Sequence, residues 1–283
     1  MLTGSREVKH VVRSGDLKLN VCERGSGDIP CVFIHGLADG GFVWDEFSRA
    51  IEPYFRSYIV DLRGHADSDW DVAKNYSLHA HLNDVEIVLD HLQLKDFIIV
   101  GHSLGGVIAA GILERRLNDV LGAVLVDTSP ISDGDVRNHL REQLLQGYRE
   151  FGSVEEYSRW LQQKCPLVSL EVAELLARNC LLPLPTRAFR PKFDIDVASI
   201  LLADDAEEQR IWSRLHYFKR PILIVRGAGS AILSRQVADD LAKKLPLGKL
   251  AVVGLAGHSV MNDNPPGFSD AVRPFLNQFR KIH

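Results

Sequence analysis

Apolar residues arrive along this chain in two rhythms. Residues 8–12 and 17–24 alternate apolar and polar positions around Ser14-Gly15-Asp16, the pattern of an antiparallel hairpin with one wet face. From residue 29 the rhythm changes: 29–34, 57–60, 97–100, 121–126, 221–225 and 249–253 are short, mainly apolar runs. Strands read this way when helices shield a parallel sheet from water on both faces. Between them, residues 79–92 place Leu82, Val85, Val88, Leu89 and Leu92 largely on one side, and 103–115 repeats Leu104, Val107, Ile108, Gly111 and Ile112 at intervals of three and four. Residues 234–245 and 268–281 have the same helical period. Strand, helix and strand in alternation predict right-handed crossovers and a doubly wound, mostly parallel sheet.

One interval breaks the alternation. About 90 residues separate the run ending at Val126 from the one beginning at Pro221, far more than a crossover needs. Within it, 136–151, 154–163, 170–181 and 205–218 have helical character, punctuated by Pro166, Pro183, Pro185 and Pro191. The expectation is a helical cap, residues 129–218, inserted over the carboxyl edge of a core made of 1–128 and 219–283. There is no internal repeat or low-complexity tract.

Composition narrows the function classes. The 283 residues carry 33 Lys and Arg against 37 Asp and Glu, a formal net charge of -4. That balance gives no electrostatic reason to expect nucleic acid or an anionic membrane as partner. The first residues carry charge where a secretory signal needs an apolar run, and no stretch approaches the ~18 uninterrupted apolar residues of a membrane span. Cys22, Cys31, Cys165 and Cys180 form no C-x-x-C pair and no metal-ligand spacing. No His-Glu-x-x-His cluster occurs either. The reading is a soluble, cytoplasmic protein without metal or cofactor.

The most informative segment runs from Phe97 to Gly106, FIIVGHSLGG. A strand leads into Gly101-His102-Ser103-Leu104-Gly105 and directly into a helix, which is G-x-S-x-G in the strand–turn–helix context it requires. A serine on such a strained turn stands clear of the backbone, above a helix N-terminus whose free N–H groups favour developing negative charge. Here the chain resembles the α/β-hydrolase superfamily over nearly its whole length. Phe33-Ile-His-Gly-Leu37 is similar to the family's His-Gly loop after the third strand. Asp61-Leu-Arg-Gly-His65 is similar to its segment after the fourth, with Ala66 where a second glycine is usual. Gly257-His258 follows the last strand, as the family's histidine does.

The resemblance implies an eight-stranded sheet, Ser103 as nucleophile, His258 as base and an oxyanion hole made by the backbone N–H groups of Leu37 and Leu104. His35 reads as a residue that stabilises the turn. The family usually carries its acid after the seventh strand, but that position holds Ser230, and no carboxylate follows until Asp239. Asp127, at the end of the sixth strand, is the better candidate, as in some branches of the superfamily. The alternative for Asp127 is a cap on a turn or on the first cap helix. Trp44 either walls the substrate pocket or belongs to the core, and His102, beside the nucleophile, is a second pocket candidate.

The implied activity is hydrolysis of a small, mainly apolar carboxylic ester or lactone. A carbon–carbon bond hydrolase, a biosynthetic thioesterase and a ligand-binding receptor on the same scaffold remain as alternatives, because function lives in the pocket rather than the fold. Serine as nucleophile disfavours the haloalkane dehalogenase and epoxide hydrolase chemistries, which use aspartate there.

Overall fold

The computed structural model describes residues 7–130 and 134–281. Eight strands form one sheet: β1 (Glu7–Ser14), β2 (Leu17–Arg24), β3 (Ile29–Ile34), β4 (Phe55–Val60), β5 (Phe97–His102), β6 (Val120–Val126), and two later strands. A short hairpin, β7 (Leu181–Pro183) with β8 (Phe189–Pro191), lies apart from it, so the last sheet strands are β9 (Ile222–Gly227) and β10 (Gly248–Val253). The spatial order is β1-β2-β4-β3-β5-β6-β9-β10. β1–β2 and β2–β4 pair antiparallel, and every other neighbour pairs parallel.

Period-two alternation explains why the central runs are apolar at every position. Val32, Ile34, Ile99, Leu125 and Ile224 point into one buried cluster, while Phe33, Ile98, Val100, Val126 and Val225 point into another on the opposite face. The first cluster is closed by α2 (Leu78–His91), α3 (Leu104–Arg115) and α8 (Arg235–Lys244); the second by α1 (Asp45–Ile51) and α10 (Pro265–Asn277), with the one-turn α9 (Val260–Asp263) beside it. Serine hydroxyls cap two of these helices: Ser77 accepts from Ala80 N and Ser234 from Val237 N. The last helix starts three residues earlier than its apolar period suggests, because Asn264 caps it and Pro265 occupies its first turn.

Between β6 and β9 the described residues add no strand to the main sheet. They form α4 (Gly134–Gly147), α5 (Val154–Lys164), α6 (Leu170–Asn179), the β7–β8 hairpin, a 3-10 segment over Ile195–Leu202 and α7 (Ala206–Arg214). The hairpin departs from the all-helical expectation: the helix predicted to reach 181 stops at Asn179, and the prolines at 183 and 191 sit in short paired strands. This segment is stitched to the loop after β4. Buried Asp194 accepts from Tyr76 Oη at 2.7 Å and from Lys74 Nζ at 2.6 Å, Asp194 N donates to Gly64 O at 2.8 Å, and Ala66 N donates to Lys192 O at 2.9 Å. Ala66 itself adopts φ 47°, the left-handed region glycine enters more readily. Among the described residues no helix is long and apolar enough to cross a membrane.

Candidate active site

Parallel strands bring their carboxyl ends to one edge, and the site forms there. Ser103 follows β5 with φ 52° and ψ -117°, a strained conformation for a residue bearing a side chain. Two close approaches keep the turn this tight: a Cβ on Gly101 would stand 2.1 Å from Gly105 O, and one on Gly105 would stand 2.3 Å from Ile34 O. Ser103 N is tied to Val126 O at 3.0 Å, and the turn runs directly into α3.

Asp127 follows β6, fully buried and also at positive φ, 45°. Its Oδ2 accepts from His258 Nδ1 at 2.8 Å and from the Ser230 hydroxyl at 2.5 Å, while Oδ1 accepts from Gly227 N at 3.1 Å. Three donors converge on one carboxylate and fix its plane. Ser230, the residue found where a carboxylate was expected, thus supports the aspartate on the neighbouring strand. Its Oγ also accepts from Ile232 N and Leu233 N at 3.1 and 3.2 Å.

The Asp127 bond orients the His258 ring, leaving Nε2 without a partner among the described residues. Ser103 and His258 line the same cavity with no direct hydrogen bond between them; such bonds are often long in ligand-free sites and tighten when substrate seats.

The loop after β3 completes the arrangement. The amides of Leu37 and Leu104 have no hydrogen-bond partner among the described residues, and Leu104 opens α3, where the first N–H groups lack helical acceptors. The next amide along, Ala38 N, is consumed by His65 Nε2 at 3.1 Å. His65 Nδ1 donates to Arg63 O at 2.8 Å, so its Nε2 carries the lone pair that accepts. His35 works the same way, donating through Nδ1 to Gly36 O at 2.7 Å and accepting Leu62 N on Nε2 at 3.0 Å. Burial pushes His35 down to about 4 and His65 down to about 3, so both are neutral props of the loop. The sequence pointed to this role for His35; it held no comparable signal for the part played by His65.

The cavity holds about 610 Å³, within the usual range for small-molecule sites. Leu37, Leu104, Leu144, Trp160, Leu161 and Phe193 contribute to its apolar wall. A polar stretch carries Arg137, bonded to Glu208 at 2.8 Å and to Ala203 O at 3.1 Å. Both pocket candidates taken from the sequence lie elsewhere. Trp44 is fully buried in the core, its ring 5.4 Å from that of Phe33 and 6.1 Å from that of Phe268. His102 is buried beneath His258, outside the cavity wall. No group of three or more His, Cys, Asp or Glu residues among those described is placed to hold a metal ion.

Known proteins are similar to this chain over most of its length. The 2-(acetamidomethylene)succinate hydrolase of Mesorhizobium japonicum is 24% identical over 265 residues, 93% of each chain. The pimeloyl-(acyl-carrier protein) methyl ester esterase of Yersinia enterocolitica is 28% identical over 264 residues, 92% of this chain and 96% of its own. The crystal structure of E-2-(acetamidomethylene)succinate hydrolase matches with a TM-score of 0.85 at 23% identity, covering 96% of this chain and 100% of that one. Residues 29–265 match the family described as alpha/beta hydrolase fold, and the chain belongs to that family.

Proposed function

We propose that this protein is a serine hydrolase cleaving a small, mainly apolar carboxylic ester or lactone through an acyl-enzyme on Ser103. The observation that carries the reading is the His258–Asp127 contact of 2.8 Å, with His258 and Ser103 lining one cavity. His258 takes the Ser103 proton as Oγ attacks the carbonyl carbon. The tetrahedral oxyanion is held by the amides of Leu37 and Leu104, each such donor contributing ~3–4 kcal/mol in comparable sites. His258 then hands the proton to the leaving alcohol, and activates water for deacylation. Asp127 keeps the proton on Nδ1 of the neutral ring and stabilises the imidazolium that forms in each step.

Residues 129–218 act as a cap in this reading. They supply Leu144, Trp160, Leu161 and Phe193 to the apolar wall, which supports an uncharged acyl or alcohol group there. Esterase activity in the relative from Yersinia enterocolitica supports the reaction class. The test is a panel of p-nitrophenyl esters and lactones read by proton release, run beside Ser103→Ala. Turnover of at least one ester by the parent, abolished in the variant, is the expected result. Full activity in Ser103→Ala would overturn the assignment.

A further inference from the structure

His102 ends β5, one residue before Ser103, and is 2% exposed. Its Nε2 lies 2.9 Å from the backbone carbonyl oxygen of His258, and the two rings are 4.7 Å apart, centroid to centroid. A carbonyl only accepts, so Nε2 carries the proton. Nδ1 is buried without a hydrogen-bond partner, and the Asp39 carboxylate on the oxyanion loop stands 3.7 Å away, an electrostatic neighbour beyond hydrogen-bond reach. The loop bearing His258 is gripped at other points: Asp263 accepts Gly257 N at 2.7 Å, Asn264 Nδ2 donates to Gly254 O at 2.8 Å, and Gly229 N donates to Ala256 O at 2.9 Å. Those contacts hold residues preceding His258. The His102 bond lands on the carbonyl of His258 itself.

Resting on the reading of Ser103 and His258 as nucleophile and base, we infer that His102 is a positioning residue whose Nε2–H fixes the His258 peptide at the height the proton relay requires. The peptide and the ring of His258 are joined at one Cα, so a tilt of the carbonyl swings the imidazole. Without the tether, the part-buried carbonyl oxygen loses its protein donor, and the peptide is free to rotate. Misplacement of a reacting group by about 1 Å costs on the order of 100-fold in rate. Since His102 lies outside the cavity wall, its loss reaches turnover through His258 and leaves substrate affinity alone.

The experiment compares His102→Phe and His102→Leu, which fill the site without a donor, with His102→Gln, whose side-chain amide lies as many bonds from Cβ as Nε2 does. The expected result is kcat lowered about 100-fold in Phe and Leu with KM within about twofold. Gln should recover at least about tenfold of that loss, melting temperature staying close to wild type in whichever non-donor variant folds. The downfield proton resonance of the His258–Asp127 bond should shift or broaden in the non-donor variants and return in Gln. Wild-type kcat in either folded non-donor variant, or equal losses in Gln and in Phe or Leu, would overturn the inference. Ser103→Ala, assayed alongside, separates the two levels. Residual full hydrolysis there defeats the underlying mechanism, whereas a dead Ser103→Ala beside a wild-type His102→Phe or His102→Leu defeats only the positioning role.

Discussion

Replacing Asp127 by asparagine probes the relay without changing its shape, and the surrounding donors dictate how the amide must sit. Gly227 N–H, at the end of β9, is a fixed donor 3.1 Å from Oδ1. An asparagine NH2 in that place would set donor against donor, so the amide oxygen must take the Oδ1 position. The NH2 then replaces Oδ2, facing His258 Nδ1 and the Ser230 hydroxyl, which sit 2.8 and 2.5 Å from that atom in the parent. The Ser230 oxygen, which already accepts from Ile232 N and Leu233 N, takes up the new donor only by loosening those bonds. The imidazole can answer only by moving its proton to Nε2, where it can no longer take the one on Ser103. In the serine protease that serves as the general example of this relay, the same substitution costs ~10⁴ in kcat, or about 5 kcal/mol of transition-state stabilisation. The expectation for Asp127→Asn is a kcat on p-nitrophenyl esters down by roughly three to four orders of magnitude, KM nearly unchanged and an unaltered circular dichroism spectrum. A folded Asp127→Asn within about tenfold of wild type would refute the tautomer argument and send the search to another carboxylate.

Three further outcomes follow from the geometry. Ser230→Ala removes a short bond to a charged group, a class worth about 1.5–3 kcal/mol, so kcat should fall roughly tenfold or more; a kcat equal to wild type would show that the Ser230 hydroxyl contributes nothing to orienting Asp127. Trp160→Ala opens the apolar wall and should move the acyl-chain optimum towards longer or bulkier esters, an unchanged chain-length profile counting against Trp160 as a pocket residue. Acid should unfold the protein early, because burial holds His35 at about 4, His65 at about 3 and His81 well below the usual histidine range. Between about pH 6.5 and pH 4 the unfolded chain binds these protons and the folded one does not, so stability falls with pH by up to ~1.4 kcal/mol per unit for each histidine. Urea titrations from pH 7 to 4.5 measure this. His81, both of whose ring nitrogens are buried and unpartnered, should flatten the slope by about one proton when replaced by leucine, and an identical slope would refute its share.

Much of this architecture was written in the apolar pattern. Strands covered on both faces have no polar alternation to hide, so β3, β5, β6 and β9 were found within a residue or two. The turn at Ser103 was equally legible, because glycines at 101 and 105 answer to backbone contacts that permit no side chain. Short elements left weaker marks. α1 spans only Asp45–Ile51, too brief for a helical period to register, and the β7–β8 hairpin is three residues a side in a stretch dominated by prolines. Side chains whose role depends on which way they turn were illegible. Trp44 reads as core or pocket until the one-turn 3-10 helix it ends (Gly41–Trp44) sends it towards Phe33 and Phe268. His102 reads as a pocket residue until its Nε2–H is found on the His258 carbonyl. The acid shows both sides of this: Asp127 was reachable from its place at a strand end, while the help it receives from Ser230 arises between two strands that sequence does not pair.

Peptide mass spectrometry after treatment with a fluorophosphonate tests Ser103 as nucleophile and His258 as its base together. A single adduct on the Ser103 peptide is expected, formed at least about a hundredfold more slowly in His258→Ala because the hydroxyl loses its base. An adduct on another side chain, or labelling at the parental rate once His258 is gone, would contradict it.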